Sequence, residues 1–252
     1  MTFQELLDEL RDNVLRDTSD IISGNADALW SDETLLRYIK DAERRFARRT
    51  LLLRDATTPV ATVITLKQGV VTYPCHKSVL SVISARCLGD NYDLSRRGHA
   101  LIGQTPPVDF LTFDPSIQDG TLPGHPLAYY TDETTVFATQ NRVTFSVWPA
   151  PSPLEDGLVV NLRVARLPLS TYDHACLNSE SEIPEDYQLD MLEWAAFRAQ
   201  NTLDGDAGAP TPAAGHKANF EEAVERAMKE LRRKLFGSTA FRYGSNGFNW
   251  TR

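Results

Sequence analysis

Residues 29–49 carry the strongest helix signature in the chain. Ser31 is a favourable N-cap residue, and Asp32 and Glu33 follow it at the end of a helix where the dipole attracts negative charge. Apolar residues then recur at intervals of four, three and four positions, which places them on one face of a helix. They are Leu35, Ile39, Ala42 and Phe46. The pattern predicts an amphipathic helix, so the fold of the whole chain has to supply a partner for this apolar face.

Basic residues occupy another face of this helix. Arg37, Arg44 and Arg48 follow one another at intervals of seven and four positions. Acids lie within reach along the helix, which favours a solvated face with internal ion pairs over a contact surface. These acids are Glu33, Asp41 and Glu43. Because the formal net charge of the chain is −8, attraction of the whole protein to nucleic acid is not expected, although a local basic contact stays open.

Three further segments are predicted to be helices. Residues 3–16 follow a capping box formed by Thr2 and Glu5. Another helix begins at Pro184, since proline suits the first helical position, and its two apolar stripes predict burial on more than one side. The stripes are Tyr187, Met191 and Trp194, and Leu192, Ala195, Ala199 and Leu203. The last helix spans residues 212–236 and ends before a glycine that suits the C′ position.

The sequence between residues 58 and 179 has a different pattern. Short runs rich in valine, isoleucine, threonine and aromatic residues are separated by glycine, proline, aspartate and asparagine, as in strands joined by turns. The runs span 61–66, 70–73, 79–88, 128–131, 134–139, 142–148 and 158–167. Short strands at this spacing predict an antiparallel sandwich or barrel. Residues 89–126 are less regular, and one or two short strands are expected there.

The two patterns together predict an α+β fold. The helix at 29–49 and the helix after Pro184 are expected to pack together, although the β-rich part of the chain lies between them. The predicted organisation is a helical domain of about four helices (residues 1–57 and 180–237), an inserted antiparallel β-sandwich or barrel-like domain (58–179) and an extended C-terminal tail (238–252).

The predicted tail has an unusual composition. Residues 238–252 hold four aromatic residues and two arginines, have no acid, and show neither a helical nor a strand period. Exposed aromatic residues with arginine are typical of an interface. The alternative, that the tail folds back onto its own domain, stays open.

The sequence contains no motif for nucleotide binding, serine hydrolysis or zinc-dependent proteolysis. Two Cys–His pairs come nearest to the composition of a metal site. They are Cys75 with His76, and His174 with Cys176. A zinc site needs ligands on tight turns, whereas adjacent residues of a strand point to opposite sides. We therefore predict no catalytic, cofactor-binding or metal site.

The cellular compartment is indicated by what the chain lacks. Three cysteines without CxxC spacing predict a reduced compartment and no disulfide framework. The N-terminal residues include acids where a signal peptide would be apolar, and no apolar run approaches the roughly 20 residues of a membrane span. A soluble protein made in a cytoplasm is expected.

Four segments of the sequence form a recognisable series. They are WSDETLLRYIKDAERR at Trp30–Arg45, GHPLAYY at Gly124–Tyr130, WPAPSP at Trp148–Pro153 and IPEDYQLDMLEWAAFRA at Ile183–Ala199. Their order and spacing resemble those of the head-to-tail adaptor proteins of short-tailed bacteriophages. The resemblance covers most of residues 30–200. The sequence departs from the family pattern at Asp204–Gly215, where relatives often continue with Lys-Asp.

The resemblance implies a structural protein of the virion neck or tail that needs neither catalysis nor a cofactor. Such adaptors form a homo-oligomeric ring, usually of twelve copies, that joins the portal protein to the tail nozzle or other tail proteins around the DNA channel. The alternatives are another neck or tail component, such as a stopper or nozzle subunit, a small enzyme with a β-sandwich module, and a carbohydrate-binding module.

Two sets of residues become candidates for contact through this resemblance. Tails of such rings commonly reach along the portal, which implies portal contact by Phe241, Arg242, Tyr243, Phe248, Asn249, Trp250 and Arg252. Contact between subunits is expected of Arg37, Arg44, Arg48, Tyr187, Met191 and Trp194. We also expect the free protein to be largely monomeric and its tail to become ordered on binding the portal.

Overall fold

The computed structural model describes residues 1–17, 29–89, 91–97, 124–132, 136–137, 140–141, 143–169, 177–203 and 212–245, with the backbone alone at 136–137, 140–141, 202–203, 212 and 236–245. The chain divides into two compact units, Met1–Leu52 with Pro168–Arg252, and Leu53–Leu167. The first unit is helical and the second is built from β-sheets. The α+β fold class predicted from the sequence is therefore confirmed.

The helical unit consists, in its described residues, of four α-helices and two short helical turns. The helices are α1 (Phe3–Glu9), α2 (Asp32–Thr50), α4 (Gln188–Leu203) and α5 (Pro212–Ser245), while α3 belongs to the other unit. A π-helical turn at Leu10–Leu15 continues α1, and a 3-10 turn at Glu185–Tyr187 precedes α4. None of the described helices combines the length and the apolar character that a membrane-spanning helix requires.

Both helix starts predicted near the N-terminus are confirmed. Thr2 Oγ1 accepts a hydrogen bond from the backbone N–H of Glu5 at 3.3 Å, and Glu5 Oε2 accepts one from the backbone N–H of Thr2 at 2.8 Å. Ser31 Oγ accepts a hydrogen bond from the backbone N–H of Thr34 at 3.3 Å. These bonds pair donors that the first helical turn leaves free, so local sequence is sufficient to start each helix.

Helix α4 is the central helix of its unit. It contacts α1, the π-helical turn, α2 and α5. Its fully buried side chains are those of Met191, Leu192, Ala195, Ala196 and Ala199. Burial on more than one side is thus confirmed, and the alanines keep the neighbouring helices close. The helix begins later than predicted, because Pro184 has extended backbone angles and precedes the 3-10 turn.

Helix α5 continues beyond its predicted end. The sequence predicted an end at residue 236 and an extended tail from 238, but the helix runs to Ser245. Glycine costs about 1 kcal/mol relative to alanine inside a helix. A cost of this size need not end a helix that is already formed, because each added residue contributes a hydrogen bond. The predicted end is therefore wrong, residues 238–245 are helical, and residues 246–252 lie outside the described part of the chain.

The β unit contains two main sheets. Its elements are β1 (Arg54–Asp55), α3 (Pro59–Thr62), β2 (Val63–Thr65), β3 (Thr72–Pro74), β4 (Val79–Cys87), β5 (Tyr92–Asp93), β6 (Ser95–Arg96), β7 (Ala128–Asp132), β8 (Val136–Phe137), β9 (Gln140–Asn141), β10 (Thr144–Trp148) and β11 (Val159–Arg166). One sheet has the order β1-β11-β4-β5, with β2 also paired to β11, and its pairs are antiparallel. The other has the order β3-β10-β7-β6, in which β6 and β7 are parallel, and β8 pairs with β9 separately.

One apolar cluster joins the two main sheets. Val160, Leu162 and Val164 alternate along β11 and are fully buried. Tyr129 and Phe145 reach the same cluster from the other sheet, with their ring centroids 5.4 Å apart. A shared core between two sheets is the arrangement of a β-sandwich. In the described residues the strands do not close into a barrel, so the sandwich form of the prediction applies.

Of two further predicted segments of this unit, one differs from the prediction and one is confirmed. The predicted strand at 61–66 begins as the helical turn α3, because Pro59 suits a first helical position and the N–H groups of Ala61 and Thr62 bond to the carbonyl of Thr58 at 3.0 Å. Within residues 89–126, strands β5 and β6 confirm the expected short strands, and residues 98–123 lie outside the described part.

A buried ion pair connects the first and last strands of the β unit. Arg166 Nε donates to Asp55 Oδ2 at 2.6 Å, and the two side chains are 11% and 7% exposed. Asp55 Oδ1 also accepts hydrogen bonds from the backbone N–H groups of Thr57 at 2.8 Å and Thr58 at 3.1 Å. Burial raises the pKa of Asp55, but the hydrogen bonds from Thr58, Thr57 and Arg166 outweigh burial and hold the pKa well below its usual range.

We expect Asp55→Asn to destabilise the β unit by about 3 kcal/mol, because the substitution leaves the buried Arg166 charge without its partner. A carboxyl with a depressed pKa stabilises the fold above its ordinary pKa of about 4, and this contribution is lost as the pH falls further. The wild type should therefore lose more stability than the variant between pH 5 and pH 3. Calorimetric unfolding across this range measures both effects.

The matched control is Asp93→Asn, since Asp93 is 80% exposed and lies 3.8 Å from Arg86. This change should alter stability by less than about 1 kcal/mol. Equal losses for the two variants would contradict the structural role given to Asp55.

Candidate interaction surface

Helix α2 has a buried apolar face and an exposed basic face. The predicted apolar stripe, Leu35, Ile39, Ala42 and Phe46, is fully buried. The opposite face carries Arg37, Arg44 and Arg48, which are exposed and are named the arginine stripe below. The buried stripe fixes the rotation of α2 about its axis, and this rotation directs the arginine stripe away from the helical core.

Asp41 connects α2 to the central helix α4. Its Oδ2 accepts hydrogen bonds from Nε1 of Trp194 at 2.8 Å and from Nη1 of Arg198 at 2.7 Å. The guanidinium of Arg45 lies over the indole of Trp194, with Cζ 3.8 Å from the ring centroid. Charge-assisted hydrogen bonds and a cation–π contact therefore reinforce the apolar packing between the two helices.

Glu43 lies on the buried side of α2 and has 0% exposure. Its Oε1 accepts hydrogen bonds from Oγ of Ser181 at 2.6 Å and from the backbone N–H of Glu182 at 3.2 Å, whereas its Oε2 has no partner among the described residues. Burial raises the pKa of Glu43 from 4.5 to about 7; the hydrogen bond from Ser181 opposes this rise and the charge of Glu182 adds to it. Glu43 thus attaches the segment before α4 to α2.

The arginine stripe is only partly neutralised. Arg37 forms an ion pair with Glu33, one helical turn before it. Neither Arg44 nor Arg48 forms an ion pair with a described residue. The predicted pairing of this face by Asp41 and Glu43 is wrong, because both acids are directed to other parts of the helical unit. The stripe therefore presents uncompensated positive charge.

A second charged surface lies on α1. An open groove of about 520 Å³, named the acidic groove below, is lined by Met1, Glu5, Asp8, Glu9, Asp12, Asn13 and Glu185. The amino group of Met1 lies 3.6 Å from Glu185. Glu5, Asp8 and Glu9 accept hydrogen bonds from neutral groups, and the α1 acids form no ion pair with a described residue. This groove therefore carries uncompensated negative charge.

The residues predicted for contact between subunits fall into two groups. The arginine stripe is exposed, as a contact surface requires. Tyr187, Met191 and Trp194 are buried within the helical unit. The ring of Tyr187 lies 5.7 Å from that of Phe46, and the ring of Trp194 lies 5.3 Å from that of Phe220. We therefore assign these three buried residues to the core of one chain and retain the arginine stripe as the candidate surface.

The residues predicted for portal contact lie at or beyond the end of α5. Only the backbone of Phe241, Arg242 and Tyr243 is described, and it is helical, whereas Phe248, Asn249, Trp250 and Arg252 lie outside the described residues.

The part of the chain that the structure describes holds no group of three or more His, Cys, Asp and Glu side chains placed to bind a metal ion. Cys75 is buried, and burial raises the pKa of its thiol to about 12. Nδ1 of His76 lies 2.8 Å from Oγ of Ser78. His174 and Cys176 lie outside the described residues.

Sequence reasoning missed the buried position of Glu43 and the acidic groove. Glu43 lies four residues after Ile39 and three before Phe46, which is a position on the buried face of a helix. The α1 acids repeat at intervals of three and four on the side away from Phe3 and Leu7. Helical spacing carries both signals, whereas pairing with the nearby arginines had predicted a solvated position for Glu43.

The described helices of one chain bury their apolar faces against one another. The exposed surfaces of opposite charge and the long helix α5 are features of a subunit that assembles with other chains. The sequence matches the family described as SU10 adaptor protein over residues 1–242. The chain belongs to the SU10 adaptor protein family, which makes it a bacteriophage adaptor and a structural protein of the virion. The predicted adaptor resemblance is thus confirmed. No curated protein matches the chain.

We expect Glu43→Gln to remove a pH dependence from the stability of the helical unit. The raised pKa means that charging Glu43 costs stability as the pH rises from about 4.5 to about 7, and the cost is complete above that range. The free energy of unfolding of the wild type should fall by about 2 to 3 kcal/mol relative to the variant between pH 5 and pH 8. Urea unfolding at each pH measures this difference.

Glu221→Gln is the control, because Glu221 is a partly exposed acid whose Oε2 lies 2.6 Å from Arg49. Its pH profile should parallel that of the wild type. A parallel profile for Glu43→Gln as well would rule out Glu43 as the group that titrates.

Proposed function

We propose that this protein is a head-to-tail adaptor that forms a ring joining the portal to the tail around the DNA channel. Its family membership supports a role in the virion neck, together with other capsid and tail proteins. In this proposal the chain has no catalytic role and acts by binding. The formal net charge of −8 suits a subunit beside a DNA channel, because like charge keeps the passing DNA from adhering.

The observation that carries this proposal is the length of α5. The helix has 34 residues and α4 has 16, which correspond to about 51 Å and about 24 Å at a rise of ~1.5 Å per residue. Ala213, Phe220 and Ala227 are buried in the bundle, whereas Leu235 is 42% exposed. Among the described side chains after Glu230, which bonds Tyr187, those of Arg232, Arg233, Lys234 and Leu235 are exposed.

We propose that the end of α5 and the residues after it bind the portal protein. The side chains of this segment include Phe241, Tyr243, Phe248 and Trp250, and aromatic residues with arginine supply much of the binding energy at protein interfaces. A helix that already extends past its own bundle loses less conformational freedom on docking than a flexible tail does. The helical unit would form the wall of the ring, with the arginine stripe at the contact between subunits.

We expect removal of residues 238–252 to weaken binding to the cognate portal by at least about a hundredfold, which corresponds to roughly 3 kcal/mol. Removal of residues 246–252 alone keeps Phe241 and Tyr243 and should have a smaller effect. Both truncated chains should keep the thermal midpoint of the wild type, because the described buried side chains of α5, from Ala213 to Ala227, lie before the truncation. Surface plasmon resonance on immobilised portal measures the affinities.

Lys67→Glu, a charge change at an exposed position of the β unit, is the control and should bind the portal as the wild type does. Unchanged affinity after removal of residues 238–252 would refute the assignment of the portal contact. A chain that binds other tail proteins but no portal would instead be a stopper or nozzle subunit.

A further inference from the structure

We propose that the arginine stripe of one copy docks against the acidic groove of a neighbouring copy. This inference rests on the proposed function, because it assigns the two surfaces by which copies of the adaptor would meet. The partner that binds the stripe is a second copy of this chain, and charge complementarity identifies it.

Both surfaces keep their charge within a single chain. Arg44 and Arg48 form no ion pair with a described residue, and the arginines of the first helical segment do not neutralise the groove. Arg11 is directed inward, where it donates to the carbonyl of Trp30 at 2.7 Å and pairs with Asp17 at 3.1 Å. Arg16 forms no ion pair with the groove acids. The electrostatic energy therefore becomes more favourable when the two surfaces of opposite charge come within a Debye length of about 10 Å.

The spacing of the two charged surfaces matches. Arg44 and Arg48 are four residues apart on α2, a separation of about 6 Å along the helix axis. In the groove, the acids recur at Glu5, Asp8 and Asp12, which is also about one helical turn from each to the next. Two rows of side chains with the same repeat can face one another in register. Exposed carboxylates can accept paired hydrogen bonds from a guanidinium, which adds geometric selectivity.

The symmetry of the contact follows from the positions of the two surfaces. They lie on different helices, so the stripe of one copy can meet the groove of the next copy, and an open assembly keeps one free stripe and one free groove at its ends. A twofold contact of stripe with stripe would oppose like charges. A head-to-tail contact of this kind closes into a ring when its rotation permits.

Complementary charge variants test the contact in the full-length chain without portal. Arg44→Glu/Arg48→Glu removes the stripe and keeps the groove, whereas Asp8→Lys/Asp12→Lys removes the groove and keeps the stripe. The free wild type should be largely monomeric at physiological salt, but in sedimentation velocity runs at about 50 mM salt, where surface charges act most strongly, it should self-associate while each variant alone stays monomeric. In their equimolar mixture the native stripe can meet the native groove and the reversed stripe can meet the reversed groove, so the two chains should form mixed assemblies in a one-to-one ratio.

A chain that carries all four reversals should self-associate again, because every opposed pair is exchanged. The association constant of the mixture should exceed that of either variant alone by at least about tenfold. Lys67→Glu/Lys77→Glu, which makes the same charge change at exposed positions of the β unit, should self-associate like the wild type. Thermal midpoints near that of the wild type establish that the variants are folded.

Any one of three results would overturn the inference. The wild type could stay monomeric at low salt, the single-surface variants could self-associate alone, or the mixture and the fourfold reversal could stay monomeric. Loss of portal binding by the groove variant together with unchanged self-association would assign the groove to a basic segment of the portal. Because portal affinity is measured separately on the truncated chains, failure of this contact is distinguishable from failure of the adaptor function.

Discussion

The packing of α2 against α4 is the contact on which the helical unit depends. The two helices come from the two ends of the chain, and the β unit occupies the sequence between them. Their apolar faces bury Phe46, Met191 and the alanines of α4, and Asp41 adds hydrogen bonds to Trp194 and Arg198. Helix α5 completes this packing, since Phe220 contacts both Phe46 of α2 and Trp194 of α4, so the helical unit closes only when the chain returns after residue 167.

Among the described residues, buried charged side chains connect one segment to another. Glu43 holds the segment before α4, and the elevated pKa records the cost of removing its carboxyl from water. Asp55 performs a similar task in the β unit, but Arg166 and two backbone donors compensate it, so its pKa is depressed. The opposite directions of these two shifts follow from the same balance between desolvation and hydrogen bonding. Near neutral pH, the cost of burying its charge therefore weakens the contact made by Glu43, whereas the contact made by Asp55 is compensated.

The surfaces that remain outside the two cores support an assembly role. The stripe and the groove are charged and only partly paired, and α5 is longer than the helices that pack against its beginning. A chain that satisfies its apolar faces internally leaves these features for contact with other chains. In the proposed adaptor, electrostatics would set which surfaces of neighbouring copies meet, while the aromatic residues after residue 240 would bind the portal.

The sequence by itself determined the elements of this protein and the class of fold. The capping residues Thr2 and Ser31 and the buried stripe of α2 follow from local hydrogen bonding and helical spacing, which need no distant contact. It did not determine the directions of Asp41 and Glu43, since an acid on a helix is solvated or buried according to what packs against it. Nor did it determine whether Tyr187, Met191 and Trp194 serve the core or a neighbour. Only the tertiary structure decided these points, because burial is a property of segments that meet across the whole length of the chain.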